Sequence, residues 1–385
     1  MNKFKFILVL ILLLLSKQAK AFSSGEVITD KSEIVEARVV RILSEVPQTV
    51  ANRYSGEVDQ KIEAEILEGV NNGKMVTIEN DYFRLDEGEI FYAIHNIRGE
   101  DGVESYGISG PYRLPAIYFL SILFVVLVVI IGGIQGVRGL LSLLGSLILI
   151  IYLLLPQILA GHSPLLVSIC VSSLIIVIGS YVTHGFNKTT NSAVLGMIVT
   201  VIITGMIALW SVHFAKLTGY SSEEVSYLVL NSQGKLDIIG VLLGGFMIGV
   251  LGLLYDIAIS QAIVVEELHK IAPHIEKNKI YFRAIRVGRE HIGALVNTLA
   301  IAYVGAALPI LLLFMEFDTS LRELVNREIF ATEIIRILVG SIGLVLAVPI
   351  TTLFAVTMLV KNANKTDSND LESESKILDD FVHHH

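Results

Sequence analysis

The sequence predicts a polytopic α-helical membrane protein, with about seven transmembrane helices after a signal peptide and a small N-terminal extracytoplasmic β-barrel-like domain. Three observations lead there. Of 385 residues, 53% are hydrophobic and only 17% charged, against about 45–50% and about 25% in soluble domains. The apolar residues gather after residue 116 in runs that each reach the roughly 20 residues a bilayer span requires. The acidic residues gather before it, with 18 Asp or Glu against 9 Lys or Arg between Phe22 and Pro115. A single cysteine excludes a disulfide scaffold. Lys+Arg of 29 against Asp+Glu of 37 leaves no basic domain for nucleic acid.

At the N-terminus, Lys3 and Lys5 precede an apolar run from Phe6 to Leu15, and Ala19-Lys20-Ala21 supplies small residues for cleavage. Residues 1–21 therefore read as a signal peptide, or as an uncleaved first helix if cleavage does not occur. Residues 22–115 read as an exported β-rich domain. Alternating segments run over Val35–Ile42, Lys61–Leu67, Met75–Glu79, Glu89–Ile94 and Glu104–Ile108, separated by turns such as Asn71-Asn72-Gly73 and Asp86-Glu87-Gly88. Five short strands suit a small barrel or sandwich of OB or SH3-like size.

Residues 116–360 hold apolar runs at about 117–137, 139–160, 165–184, 193–215, 238–262, 291–315 and 334–360. Arg138 marks a tight inner turn and Lys188 sits in the next one. A long basic loop over 263–290 carries Lys270, Lys277, Lys279, Arg283, Arg286 and Arg289. The alternate loops are acidic or neutral. The positive-inside rule then puts the basic loops and the C-terminus in the cytoplasm and the β-domain outside a cell membrane. The tail 361–385 is polar and acidic and reads as disordered.

Polar residues inside spans carry the chemistry, because lipid makes them expensive. Gly245, Gly249, Gly252, Asp256 and Ser260 recur every three or four residues, which is one helical face. The glycines would let a neighbouring helix approach, with Asp256 facing that contact. The same face reaches Glu267, with Gln261 and Glu266 beside it. The next span brings Asn297 and Thr298 to a similar depth, and the last adds Pro349, Thr351 and Thr352. Pro309 is expected to kink the helix before it.

Three readings compete. Asp256 is a titrating or cation-binding carboxylate of a transporter, with Ser260, Asn297, Thr298, Glu267 and Thr351 shaping its site. Alternatively it pairs with Arg289 or caps a neighbour, and so fixes helix packing in a non-transporting scaffold or assembly partner. An intramembrane protease would need a second aspartate, which the other spans do not supply. Walker, dinucleotide-glycine, HExxH and GxSxG patterns are absent. The chain is therefore expected to be no enzyme, with no catalytic residue, cofactor or metal. Its expected partners are the bilayer, a small solute or ion, and a protein docking on 22–115 or on 263–290.

The run Gly249-Val-Leu-Gly-Leu-Leu-Tyr-Asp256-Ile-Ala-Ile-Ser-Gln261 resembles the most characteristic block of the YibE/F-like family of bacterial membrane proteins. So does the stretch from Val287 through Gly-Arg-Glu-His-Ile-Gly-Ala-Leu-Val-Asn-Thr-Leu to Pro309, and Val348-Pro-Ile-Thr-Thr352 looks like a lesser block. The resemblance covers roughly residues 110–360. It implies a multispanning membrane protein with an outward N-terminal domain, and it brings no substrate with it.

Overall fold

The computed structural model describes residues 31–47, 58–97, 103–221, 223–232, 236–315 and 320–360. The expected signal peptide and the expected disordered tail lie outside these residues. The chain divides into two compact units at Ile131/Gly132.

In the N-terminal unit all five expected strands form: β1 (Lys31–Pro47), β2 (Val58–Ile66), β3 (Met75–Asn80), β4 (Ile90–Ile97) and β5 (Glu104–Pro111). They make one antiparallel sheet of order β3-β2-β1-β4-β5. β1 is long enough to serve two partners. Its first half pairs with β4 and its second with β2, with register breaks between Val39 and Arg41 and between Ile42 and Ser44. Such irregularities sharpen strand twist. The sheet curls until its edge strands β3 and β5 meet, forming a half-barrel rather than a two-sheet sandwich. Val35, Ala37, Val39, Ile62, Ala64, Ile78 and Phe91 alternate inward to fill it.

Polar bonds complete the half-barrel. Buried Gln60 holds the loop after β3 by donating to Leu85 O and accepting from Leu85 N, both at 2.9 Å. Across the seam, Asn71 Nδ2 donates to Tyr106 Oη at 2.7 Å, and Lys74 Nζ bonds Glu104 at 2.6 Å.

The second unit is helical, and α1 (Leu114–Leu149), whose residues up to Ile131 belong to the N-terminal unit, leads through a π turn (Ile150–Leu154) into α2 (Leu155–Leu159). There follow α3 (Pro164–His184), α4 (Lys188–Phe214), α5 (Glu223–Asn231), α6 (Ile238–Ile271), α7 (Lys277–Ala306), α8 (Leu308–Met315), α9 (Leu321–Asn326) and α10 (Glu328–Leu359). Among the described residues, five helices are long and apolar enough to cross a membrane, or six if the bent pair α7–α8 counts as one span. The expected spans 117–137 and 139–160 share one 46-residue candidate, Leu114–Leu159. Arg138 lies inside α1 rather than in a turn. The break comes instead at Gly133, whose φ of 54° and ψ of −139° only glycine tolerates readily.

The basic connection is also shorter than its sequence suggests. α6 runs to Ile271 and α7 starts at Lys277, so only residues 272–276 link them. Lys270 bonds Glu266 at 2.9 Å and Glu267 at 2.8 Å, which extends α6 beyond its apolar run. Ile280, Ala284 and Gly288 give the start of α7 a buried face. The helix bends by 62° between Ala306 and Leu308, just before Pro309.

The core of this unit is the packing of α10 against α4, α6 and α7. Hydroxyl residues sit opposite glycines along its seams. A Cβ on Gly196 would lie 2.6 Å from Thr351 Oγ1 and 2.8 Å from Thr351 Cα, and one on Gly343 would lie 2.6 Å from Thr204 Oγ1. The backbones of α4 and α10 therefore approach closely.

Two outcomes follow. Gly196→Ala should lower the denaturation midpoint in detergent by the equivalent of about 1–3 kcal/mol, whereas Gly245→Ala, with nothing within 4 Å of its Cβ, should not lower it. In the half-barrel, Lys74 holds the Glu104 carboxyl below its ordinary value of 4.5, and Glu104 in turn raises Lys74 above 10.5. The seam should therefore be intact from pH 4.5 to 10.5. It should open as pH falls through the lowered Glu104 value or rises through the raised Lys74 value. Hydrogen exchange at β3 and β5 reads this, and Lys74→Met should abolish the dependence.

Candidate functional site

α6 begins at Asp237, whose side chain accepts from Gly240 N at 2.9 Å and so caps the helix. Nineteen residues later comes Asp256, on the face of α6 turned away from the packed core, where Gly245, Gly252 and Ser260 are exposed as well. Asp256 lines a groove of about 600 Å³ between α6, α3 and the part of α1 that follows Gly133. Ser142 and Ser146 of α1, Gly179 and Thr183 of α3, and Gly249 and Tyr255 of α6 share that lining. Ser146 Oγ donates to Ser142 O at 2.9 Å, and a Cβ on Gly179 would lie 2.7 Å from Ser142 Oγ. α1 and α3 therefore touch behind the groove. Tyr255 Oη donates to Gly179 O at 3.4 Å. Asp256 makes no ion pair or hydrogen bond among the described residues, so the pair with Arg289 that the alternative reading offered does not form, and Arg289 is exposed.

Of the other sequence-selected residues, Gly249 and Gly252 share the groove lining with Asp256, whereas Ser260, Glu267, Asn297, Thr298 and Thr351 do not. Gln261 lies beside Gly288, and Gly249 beside Tyr303. This register puts Asp256 about level with Ala294, close to one helical turn short of Asn297 and Thr298. Neither of these lines the groove. Both are exposed, and Thr298 Oγ1 bonds its own helix at Ala294 O, 2.9 Å away. Thr351 is fully buried against Gly196 on the far side of the bundle, its hydroxyl without a hydrogen-bond partner among the described residues. Glu267 is exposed and paired with Lys270. Its neighbour Glu266 accepts from Thr189 Oγ1 at 2.5 Å and ties α6 to α4. Of the three glycines, Gly249 alone has a close neighbour, the Tyr303 hydroxyl.

Two polar clusters were not legible as such from the sequence. In the first, Gln261, only 3% exposed, donates from Nε2 to Ala284 O and to Thr352 Oγ1, each at 2.8 Å. Thr352 Oγ1 in turn donates to Val348 O at 2.6 Å. A Cβ on Gly288 would lie 2.6 Å from Val348 Cγ1 and 2.7 Å from Gln261 Oε1, so the junction of α6, α7 and α10 requires glycine there. In the second, Arg336 of α10 bonds Glu333 at 2.9 Å, three residues back. Its guanidinium lies 5.2 Å from the Phe246 ring centre and 5.5 Å from that of Tyr303. The signal for this cluster was two opposite charges at i and i+3 at the start of an apolar run.

The Gln261 junction should behave as a structural lock. Gln261→Leu and Thr352→Val should each cost about 1–2 kcal/mol of stability. The two losses should fall short of additive in a double-mutant cycle followed by detergent unfolding.

No curated protein and no solved structure matches the chain. The family described as YibE/F-like protein matches over residues 120–361, a stretch that holds the Asp256 groove, the Gln261 junction and the Arg336 cluster. With well over half its length matched, the chain belongs to the YibE/F-like protein family.

Proposed function

We propose that the protein is an integral membrane permease that couples movement of a small solute to a proton or another ion at Asp256. The observation that carries this reading is the Asp256 carboxylate itself, set in a groove of about 600 Å³ with no ion pair or hydrogen bond among the described residues. An ionised carboxylate among apolar helices is costly unless a charge answers it. A proton or cation entering the groove supplies that charge, and Ser142, Ser146 and Thr183 offer it further oxygens. In this reading the solute works with the groove residues rather than with Asn297, Thr298 or Thr351. Ser260 lies one turn along from Asp256, and Glu267 stands beyond it at the cytoplasmic end of the same helix.

The accompanying topology is seven crossings in a bacterial cell membrane after an export signal. Gly133 supports it by dividing Leu114–Leu159 into two segments, and the bent α7–α8 pair then serves as one crossing. The positive-inside rule sets the basic start of α7 inside, and an odd number of crossings then sets the half-barrel outside and the C-terminus inside. No chemical step belongs to this reading, so the protein is not an enzyme.

A second reading, a non-transporting scaffold, draws on the Gln261 junction, where intramembrane polar groups serve helix packing. Reconstituted vesicles separate the two. Asp256→Asn should abolish proton- or cation-coupled flux while the denaturation midpoint stays within a few degrees of the parent. Loss of folding without any flux from the parent protein would sink the permease and leave the scaffold.

A further inference from the structure

The groove at Asp256 owes its space to glycine. α3 and α6 run parallel and in register, with Gly240 facing Pro164, Gly244 facing Ser168 and Tyr255 bonded to Gly179. At their starts the two helices touch. A Cβ on Gly240 would lie 2.7 Å from Pro164 Cδ, and one on Gly244 would lie 2.5 Å from Ser168 Oγ. Beyond that pinch the groove lining on α6 runs from Ile248 to Asp256 and includes Gly249 and Gly252. A Cβ on Gly252, or on Gly139 of α1, would meet nothing within 4 Å. The resulting volume of about 600 Å³ falls within the span of small-molecule sites, about 300–1,000 Å³. A proton or a bare metal ion needs far less.

The lining selects the charge and the shape of what fits. Ile175, Ile176, Ile248, Leu251 and Leu253 make the walls apolar, and Asp256 is the one charged side chain among the lining residues. A neutral solute leaves that carboxylate unanswered, and an anion is repelled by it. A divalent ion seeks about six to eight oxygens and brings a second charge. Here the Ser146 hydroxyl donates to Ser142 O and the Tyr255 hydroxyl to Gly179 O. Among the described residues no group of three or more His, Cys, Asp or Glu could hold a metal. A quaternary ammonium carries no N–H and so asks for no acceptor, and aromatic faces attract it. Tyr255 lines the groove beside Asp256 and supplies such a ring.

We infer, resting on the permease reading, that the solute is a monovalent quaternary ammonium with an apolar body. Its charge would lie between Asp256 and the Tyr255 ring, with its hydrocarbon against Ile175, Ile176 and Ile248. Solute and proton then hold one carboxylate in turn. The proton leaves Asp256 as the cation binds, so one positive charge moves each way and the exchange is electroneutral. The other titratable groups around the groove are Tyr255 and His184 of α3, whose rings are 6.1 Å apart. Tyr303 of α7 stands beside Gly249, with Arg336 and Glu333 of α10 behind it. Arg138 precedes Gly139 on α1, outside the lining, and is exposed.

Equilibrium dialysis of the full chain in dodecyl maltoside against radiolabelled benzyltrimethylammonium chloride tests the site. Saturable binding in roughly the millimolar range or tighter is expected. Sodium phenylacetate, benzyl alcohol, potassium chloride and magnesium chloride should not displace the probe. Nor should glycerophosphocholine, the lipid headgroup that carries the same ammonium beside a phosphate. Asp256→Asn should weaken binding about tenfold or more. Gly252→Leu fills the groove and should do the same, whereas Gly252→Ala should bind nearly as the parent does. If Asp256→Asn fails to fold, the two Gly252 variants carry the test. In vesicles, the probe added outside should drive protons out at a rate that a valinomycin–potassium potential of either sign leaves unchanged. Displacement by any of the five competitors, or binding unchanged in both Asp256→Asn and Gly252→Leu, overturns the proposed solute. A rate that follows the potential overturns the one-for-one exchange. Proton-coupled flux without probe binding leaves the permease standing and sinks this solute. Probe binding that both substitutions abolish, with no flux from the parent, keeps the site and sinks the permease.

Discussion

Close backbone approach between α4 and α10 is the constraint on which the helical unit rests. In a bilayer, apolar side chains gain little by leaving lipid for protein, so association depends on packing and on hydrogen bonds between helices. Gly196 and Gly343 bring two backbones together, and Thr351 and Thr204 fill the space opposite them. Thr204 returns its hydroxyl bond to its own helix at Thr200 O, 2.8 Å away, which lets it pack against Gly343 with that hydroxyl satisfied. With α10 seated on α4, its other faces are free to receive α6 and α7.

That arrangement sorts the intramembrane polar groups into two kinds. Gln261, Thr352 and Ala284 O meet where three helices converge, and each finds a partner. Arg336 reaches past Glu333 to rings on two further helices, so its charge is spread over an ion pair and two aromatic faces. Asp256 lies on the opposite side of α6 and opens on a groove instead. Gly249 stands between these regions, since it both lines the groove and receives the Tyr303 hydroxyl. A change at Tyr303 would be felt from both sides of α6.

The half-barrel obeys a different solvent. Its core is driven by burial of Val35, Ile62, Ile78 and Phe91, and its open side is closed by exposed polar bonds such as Lys74–Glu104. Solvent-exposed ion pairs contribute little on their own, so this seam is the weaker part of the domain.

Local pattern alone was enough for the five strands, because alternation with a period of two names the buried face of each. It was also enough for the apolar helices, for the bend before Pro309 and for membership of the family. Span boundaries were less legible. The break at Gly133 and the extension of α6 to Ile271 follow from one backbone conformation and a set of i,i+3 and i,i+4 ion pairs. The spacing of Gly245, Gly249, Gly252 and Asp256 correctly put them on one face of a helix. It could not say what that face meets. Helical periodicity is the same whether a face turns toward a neighbour, a groove or lipid, and only the relative rotation and register of packed helices decide which. That is why the helical face that carries Asp256 was legible in the sequence, while its separation from Asn297, Thr298 and Thr351, and the Gln261 junction in their stead, belong to the tertiary structure.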